Sequence, residues 1–67
     1  MNAADDDGGQ GEVYFEFTAI GRTVKVSAID AATGVEVSVV APANAARADL
    51  QRLALQKLRG RLAGGER

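Results

Sequence analysis

Residues 12–41 read EVYFEFTAIGRTVKVSAIDAATGVEVSVVA, and this stretch decides the fold. Residues 12–20 alternate, with Val13, Phe15, Phe17 and Ala19 on one side and Glu12, Tyr14, Glu16, Thr18 and Ile20 on the other. Strict alternation rich in β-branched and aromatic residues predicts a strand. Gly21-Arg22 follows, and a glycine at the first central position suits a two-residue type II′ hairpin turn. Residues 23–30 alternate again, with Val24, Val26 and Ala28 aligned. Asp30 to Gly34 is a turn in which the Asp30 carboxylate is expected to accept from a backbone N–H two residues on, while Gly34 supplies a positive φ. Residues 35–41 form a third strand with Val35, Val37 and Val39 aligned.

The two turns fix a register that can be checked. A two-residue turn at Gly21-Arg22 pairs Ile20 with Thr23, so Phe17 faces Val26 and Phe15 faces Ala28. A four-residue loop over 31–34 pairs Asp30 with Val35, so Val26 also faces Val39 and Ala28 faces Val37. Both turns put every inward apolar residue on one face, and a slip of one residue would destroy the agreement. The prediction is an antiparallel meander in the order 1-2-3.

Downstream, Pro42 ends the third strand because it lacks an N–H for the ladder. Asn44 is a candidate N-cap for a helix over about residues 45–62, rich in Ala and Leu. Gly60 weakens its end and Gly64-Gly65 stop it. The helix must return across the Val/Phe face of the sheet, which has no other cover. The fold class is therefore α+β, a βββα domain over residues 12–63. Residues 1–11, with Asp5-Asp6-Asp7 and three glycines, bury too little to offset ordering and are expected to be a disordered acidic tail. Residues 64–67 are expected to fray.

The helix carries more apolar surface than one sheet face uses. Its leucines spread over roughly 200° against the stripe of about 100° that packing needs. Ala46, Leu50, Leu53 and Ala54 make one seam, assigned to the sheet. Leu55, Leu58 and Leu62 make a second, free for a partner. On the outer sheet face Tyr14 lies opposite Ile29. In a domain this small, with no disulfide or metal, a second copy would supply the missing burial. The expectation is a homo-oligomer, most simply a dimer, using Leu55, Leu58, Leu62, Tyr14 and Ile29; the first or third strand, each a free edge, offers pairing across a two-fold axis as another geometry.

Composition narrows function by exclusion. The 67 residues include no Cys, His or Trp. That removes a disulfide framework, a thiolate nucleophile and Cys- or His-ligated metal. It also removes an imidazole base and a Ser-His pair. Met1 to Gln10 has neither the basic nor the apolar region of a secretory signal, and no run is long enough to span a bilayer. The expectation is a cytoplasmic, non-enzymatic protein with no cofactor. Asp5-Asp6-Asp7 lacks the spacing of a calcium loop. Gly8-Gly9-Gln10-Gly11 precedes a strand and fits no phosphate-binding fingerprint. The outer-face row Glu16, Ser27, Ser38, with Lys25 diagonal to Glu16, reads as a solvated surface with a weak ion pair.

An alternative is nucleic-acid binding through the helix, where Arg47, Arg52, Lys57, Arg59 and Arg61 face only Asp49, a local charge of +4. Against it, the chain is acidic overall, with a pI near 5.2, the cations are scattered, and some merely suit the helix C-terminus. The element order is similar to the latter part of double-stranded-RNA-binding domains. Those carry clustered lysines at the start of the last helix, where this chain has Asn44-Ala45-Ala46-Arg47.

Residues 12–62 as a whole resemble an uncharacterised family of short alphaproteobacterial proteins. The resemblance rests on Val13-Tyr14-Phe15-Glu16-Phe17, on Asp30 to Val37 with its Thr33-Gly34 turn, and on Leu53-Ala54-Leu55-Gln56-Lys57-Leu58. It implies no activity, cofactor or site residue. Members sometimes carry the label serine hydroxymethyltransferase, which is chemically untenable here. That enzyme needs a pyridoxal-phosphate pocket and a supported Schiff-base lysine, whereas Lys25 and Lys57 fall on an open sheet face and a helix.

Overall fold

The structure, a computed structural model, describes residues 12–64. Three strands, β1 (Val13–Ile20), β2 (Thr23–Asp30) and β3 (Glu36–Pro42), form one antiparallel sheet in the order β1-β2-β3. One helix, α1 (Arg47–Leu62), follows and packs on one face. The fold is α+β, of the βββα kind expected. The expected acidic tail, and residues 65–67 of the end expected to fray, lie outside the described residues.

The register matches the pattern read from the sequence. Phe17 pairs with Val26 and Phe15 with Ala28. Val26 pairs with Val39 and Ala28 with Val37. Gly21 has φ +60°, and among the described residues no non-glycine residue has positive φ. That combination selects type II′ over type I′, which needs two positive angles. In the second hairpin Gly34 has φ +80° and its N–H donates to the Asp30 carbonyl at 2.8 Å. The Asp30 side chain, expected to accept two residues on, accepts three residues on. It takes the Thr33 N–H at 3.0 Å and the Thr33 hydroxyl at 2.7 Å. The four-residue loop carries the Asp30 and Val35 backbones back together, with the Asp30 N–H on the Val35 carbonyl at 2.9 Å, and this brings Thr33 within reach.

Asp30 is a buried polar residue, so these bonds are costly to lose. Asp30→Ala should destabilise the domain by about 1–3 kcal/mol, read as a lower midpoint in urea unfolding. Asp30→Asn, which keeps an acceptor, should recover part of that loss.

Element boundaries differ from expectation by one or two residues at the start of β1, at both ends of β3 and at the start of the helix. β3 retains Pro42 as its last residue. The N–H that proline lacks would point away from β2, at the sheet's outer edge, so the ladder loses nothing. The helix starts at Arg47 with Ala46 at its N-cap and no side-chain cap, not at Asn44. The chain must first turn off the end of the sheet, and the Ala45 N–H bonds back to the Pro42 carbonyl at 3.0 Å. Asn44 is consumed in that turn. At the far end the Ala63 N–H reaches the Arg59 carbonyl and Gly64 takes φ +83°.

The core is formed by Val26, Ala28 and Val37 from the sheet and Leu50, Ala54 and Leu58 from the helix. The three helical residues are spaced by four and form one narrow line facing β2 and β3.

Candidate self-association surface

The line of helix contact corrects the expected division of the leucines. Leu58, placed in the free seam, is fully buried in the core and is not available to a partner. Leu53, assigned to the sheet, is 52% exposed, and Ala46 is exposed. At about 100° per residue, Leu50, Ala54 and Leu58 lie within roughly 80° of one another. Leu53 falls about 100° from the centre of that line. The remaining members of the second seam keep their place outside the core, Leu62 exposed and Leu55 partly buried.

Which side of the helix they occupy follows from two contacts. The Lys57 Nζ donates to the Ser38 carbonyl of β3 at 2.9 Å. The Arg47 guanidinium lies 4.1 Å from the ring centre of Phe17 in β1. Relative to the core line, Lys57 projects to the β3 side. Arg47, Leu62 and Leu55 project about 20°, 80° and 100° to the other side, toward β1.

β1 is the strand that the helix leaves largely uncovered. Its inward residues Val13, Phe15 and Phe17 border the core but remain only partly buried, and Ala19 is exposed. Between β1 and the start of the helix lies a half-open hollow of about 330 Å³, floored by Phe17, Ala19, Val24 and Leu50 and rimmed by Arg47. The inner face of β1 and the helix flank that carries Leu55 and Leu62 thus border one open strip on the same side of the core line. Sequence alternation identified Phe15 and Phe17 as inward residues. Their incomplete cover depends on where the helix lands, and no local signal reports it.

The other expected surface residues lie on the opposite face. Tyr14 pairs with Ile29 across the strands. Tyr14 is 54% exposed and Ile29 partly buried. The row Glu16–Ser27–Ser38 is aligned across the strands, but Ser27 is buried between its neighbours rather than solvated, and among the described residues Glu16 and Lys25 form no ion pair. The Tyr14 hydroxyl donates to Glu12 Oε1 at 2.8 Å. That bond, then the carboxylate's charge, raises the tyrosine pKa above its ordinary value of 10.0. An absorbance titration of this single tyrosine should therefore give a midpoint above 10.0. Glu12→Gln should bring it down toward that of a free tyrosine. An unchanged midpoint would show the bond to be absent in solution.

The basic residues of the alternative are not gathered into one patch. Arg47 is stacked on Phe17. Arg52 is paired with Asp49 at 2.8 Å. Lys57 is engaged at the β3 edge. Arg59 and Arg61 sit in the last helical turn, where cations suit the macrodipole. Among the described residues no cluster of three carboxylates could hold a metal ion, and no helix is long and apolar enough to cross a membrane.

Comparison with curated proteins and with solved structures gives no match. A family model does match, over residues 10–65, which takes in all the strands, the helix and the strip between them. The chain therefore belongs to the family described as Domain of unknown function (DUF6898).

Proposed function

We propose that this chain is a non-enzymatic interaction module that associates with a second copy of itself. One observation carries the proposal: the helix covers two strands of three, which leaves Phe15 and Phe17 half-open on the side of the core line to which Leu55 and Leu62 project. Large apolar side chains left open together on one side of a small domain mark an interaction site. A domain this small gains most from burying it, since no cysteine is present to staple the fold. Catalysis has little to work with. The displaced phenol of Tyr14 lies exposed on the open sheet face, where water is not excluded.

Light scattering with mass determination at micromolar concentration tests the proposal. The expected mass is twice the 6.9 kDa of the chain. A monomer at every concentration tested would end it. The nucleic-acid alternative draws less support, because Arg47, Arg52 and Lys57 are engaged within the fold. A salt-sensitive mobility shift with RNA or DNA would revive it.

A further inference from the structure

The two edges of the sheet are not equivalent, and the difference points to where the second copy binds. In an antiparallel ladder the backbone groups of alternate residues point to one neighbour and then to the other. The Ala31 N–H bonds to the Glu12 carbonyl, so even-numbered residues of β1 direct their backbone groups at β2. Val13, Phe15, Phe17 and Ala19 direct theirs outward. On β3 the Asp30 N–H bonds to the Val35 carbonyl, so odd residues face β2 and Glu36, Ser38, Val40 and Pro42 face out.

The β3 edge is closed to further strands. Lys57 occupies the outward carbonyl of Ser38, and Pro42 has no N–H to offer. Lysine and proline at an edge are the usual means of blocking strand addition. β1 has neither. It pairs with β2 from Val13 to Ile20 without a bulge and presents a regular row of outward N–H and C=O groups. Beside that row lie the half-covered rings of Phe15 and Phe17.

We propose that two copies join through β1, antiparallel about a two-fold axis, to make a six-stranded sheet with both helices on one face. This rests on the self-association proposed above and adds its location and register. Such symmetry sets residues of the same face opposite each other, which leaves only registers centred on a single residue of β1. Centring on Glu16 would set Glu16 against its own copy. Centring on Tyr14 would set Glu12 against Glu16. Like charges directly opposed are destabilising. Centring on Phe17 would bring together the two Arg47 guanidinium groups that lie over its rings. Centring on Phe15 avoids all three and, unlike centring on Val13, Thr18, Ala19 or Ile20, keeps both Phe15 and Phe17 opposite residues of β1. It sets Phe15 against Phe15 and Val13 against Phe17 on the inner face. On the outer face it sets Tyr14 against Glu16 and Glu12 against Thr18.

The absence of native cysteine makes the register directly testable. In the Phe15-centred dimer, Glu12 and Thr18 of opposite copies form a non-hydrogen-bonded pair, with Cα atoms about 4.5 Å apart, within disulfide range. Both residues are exposed, and six positions of extended strand keep them from bridging within one chain. The variant carrying Glu12→Cys and Thr18→Cys should form a disulfide-linked dimer under mild oxidation. Each single variant should cross-link at least about tenfold less, its cysteines lying too far from their own copies. Mass determination of the unsubstituted chain accompanies the test. A dimer whose double variant fails to cross-link selectively overturns the edge pairing and leaves self-association standing. A monomer overturns both.

Discussion

Leu58→Ala should be the most damaging single truncation in the domain, lowering stability by about 2–5 kcal/mol. Leu58 is fully buried and stands at the end of the helical line that meets Val26, Ala28 and Val37. Cutting its isobutyl group back to a methyl leaves a void that neighbours on a hydrogen-bonded sheet cannot close. A domain of this size has little stability to spare, so a substantial unfolded population at ambient temperature is the expected result. Leu53→Ala provides the internal comparison. It removes the same atoms from a side chain that is 52% exposed and should cost well under about 1 kcal/mol. Urea unfolding of the two variants checks the pair. Equal losses would mean that the helix is rotated from the orientation described.

Leu55→Glu combined with Leu62→Glu should have the opposite character, leaving the fold intact and dissociating the proposed dimer. Both side chains lie outside the core and flank the open side of β1. Burying a leucine contributes about 1.5–3 kcal/mol, and a carboxylate placed in the contact adds a desolvation cost. Losing both leucines should raise the dimer dissociation constant by about 100-fold or more. Circular dichroism should stay helical and stranded, with the thermal midpoint extrapolated to low protein concentration close to that of the parent chain. A parallel Leu53→Glu variant, altered on the β3 side of the helix, should associate normally. If Leu53→Glu dissociates the assembly and the double variant does not, the interface lies on the other flank.

The contrast between these leucines locates the limit of what could be read from the chain. Alternation over residues 13–30, two turn signals and the repeated valines specified each strand pair to the residue, because hairpin register is a local property. Leu50 and Ala54 meet the sheet as their seam predicts, whereas Leu53 and Leu58 exchange places. An apolar arc of roughly 200° contains several stripes of the required width, and nothing in the helix itself selects among them. Phe15 and Phe17 pose the same problem from the sheet side. Their inward direction is local, whereas their degree of cover is set by a helix some thirty residues away. Asn44 likewise carries the composition of an N-cap, and the turn that lifts the chain off the sheet displaced the cap to Ala46.

The sequence by itself determined the meander, its order and its register, since turn chemistry and two-residue periodicity act between neighbours along the chain. It also determined which chemistries are closed to a protein without cysteine or histidine. Only the tertiary structure decided which leucines enter the core, that the third valine strand is blocked at its edge by Lys57, and that the first strand is left bare. Those outcomes depend on the lateral position of one helix on the sheet, fixed by how the buried side chains of both layers fit together.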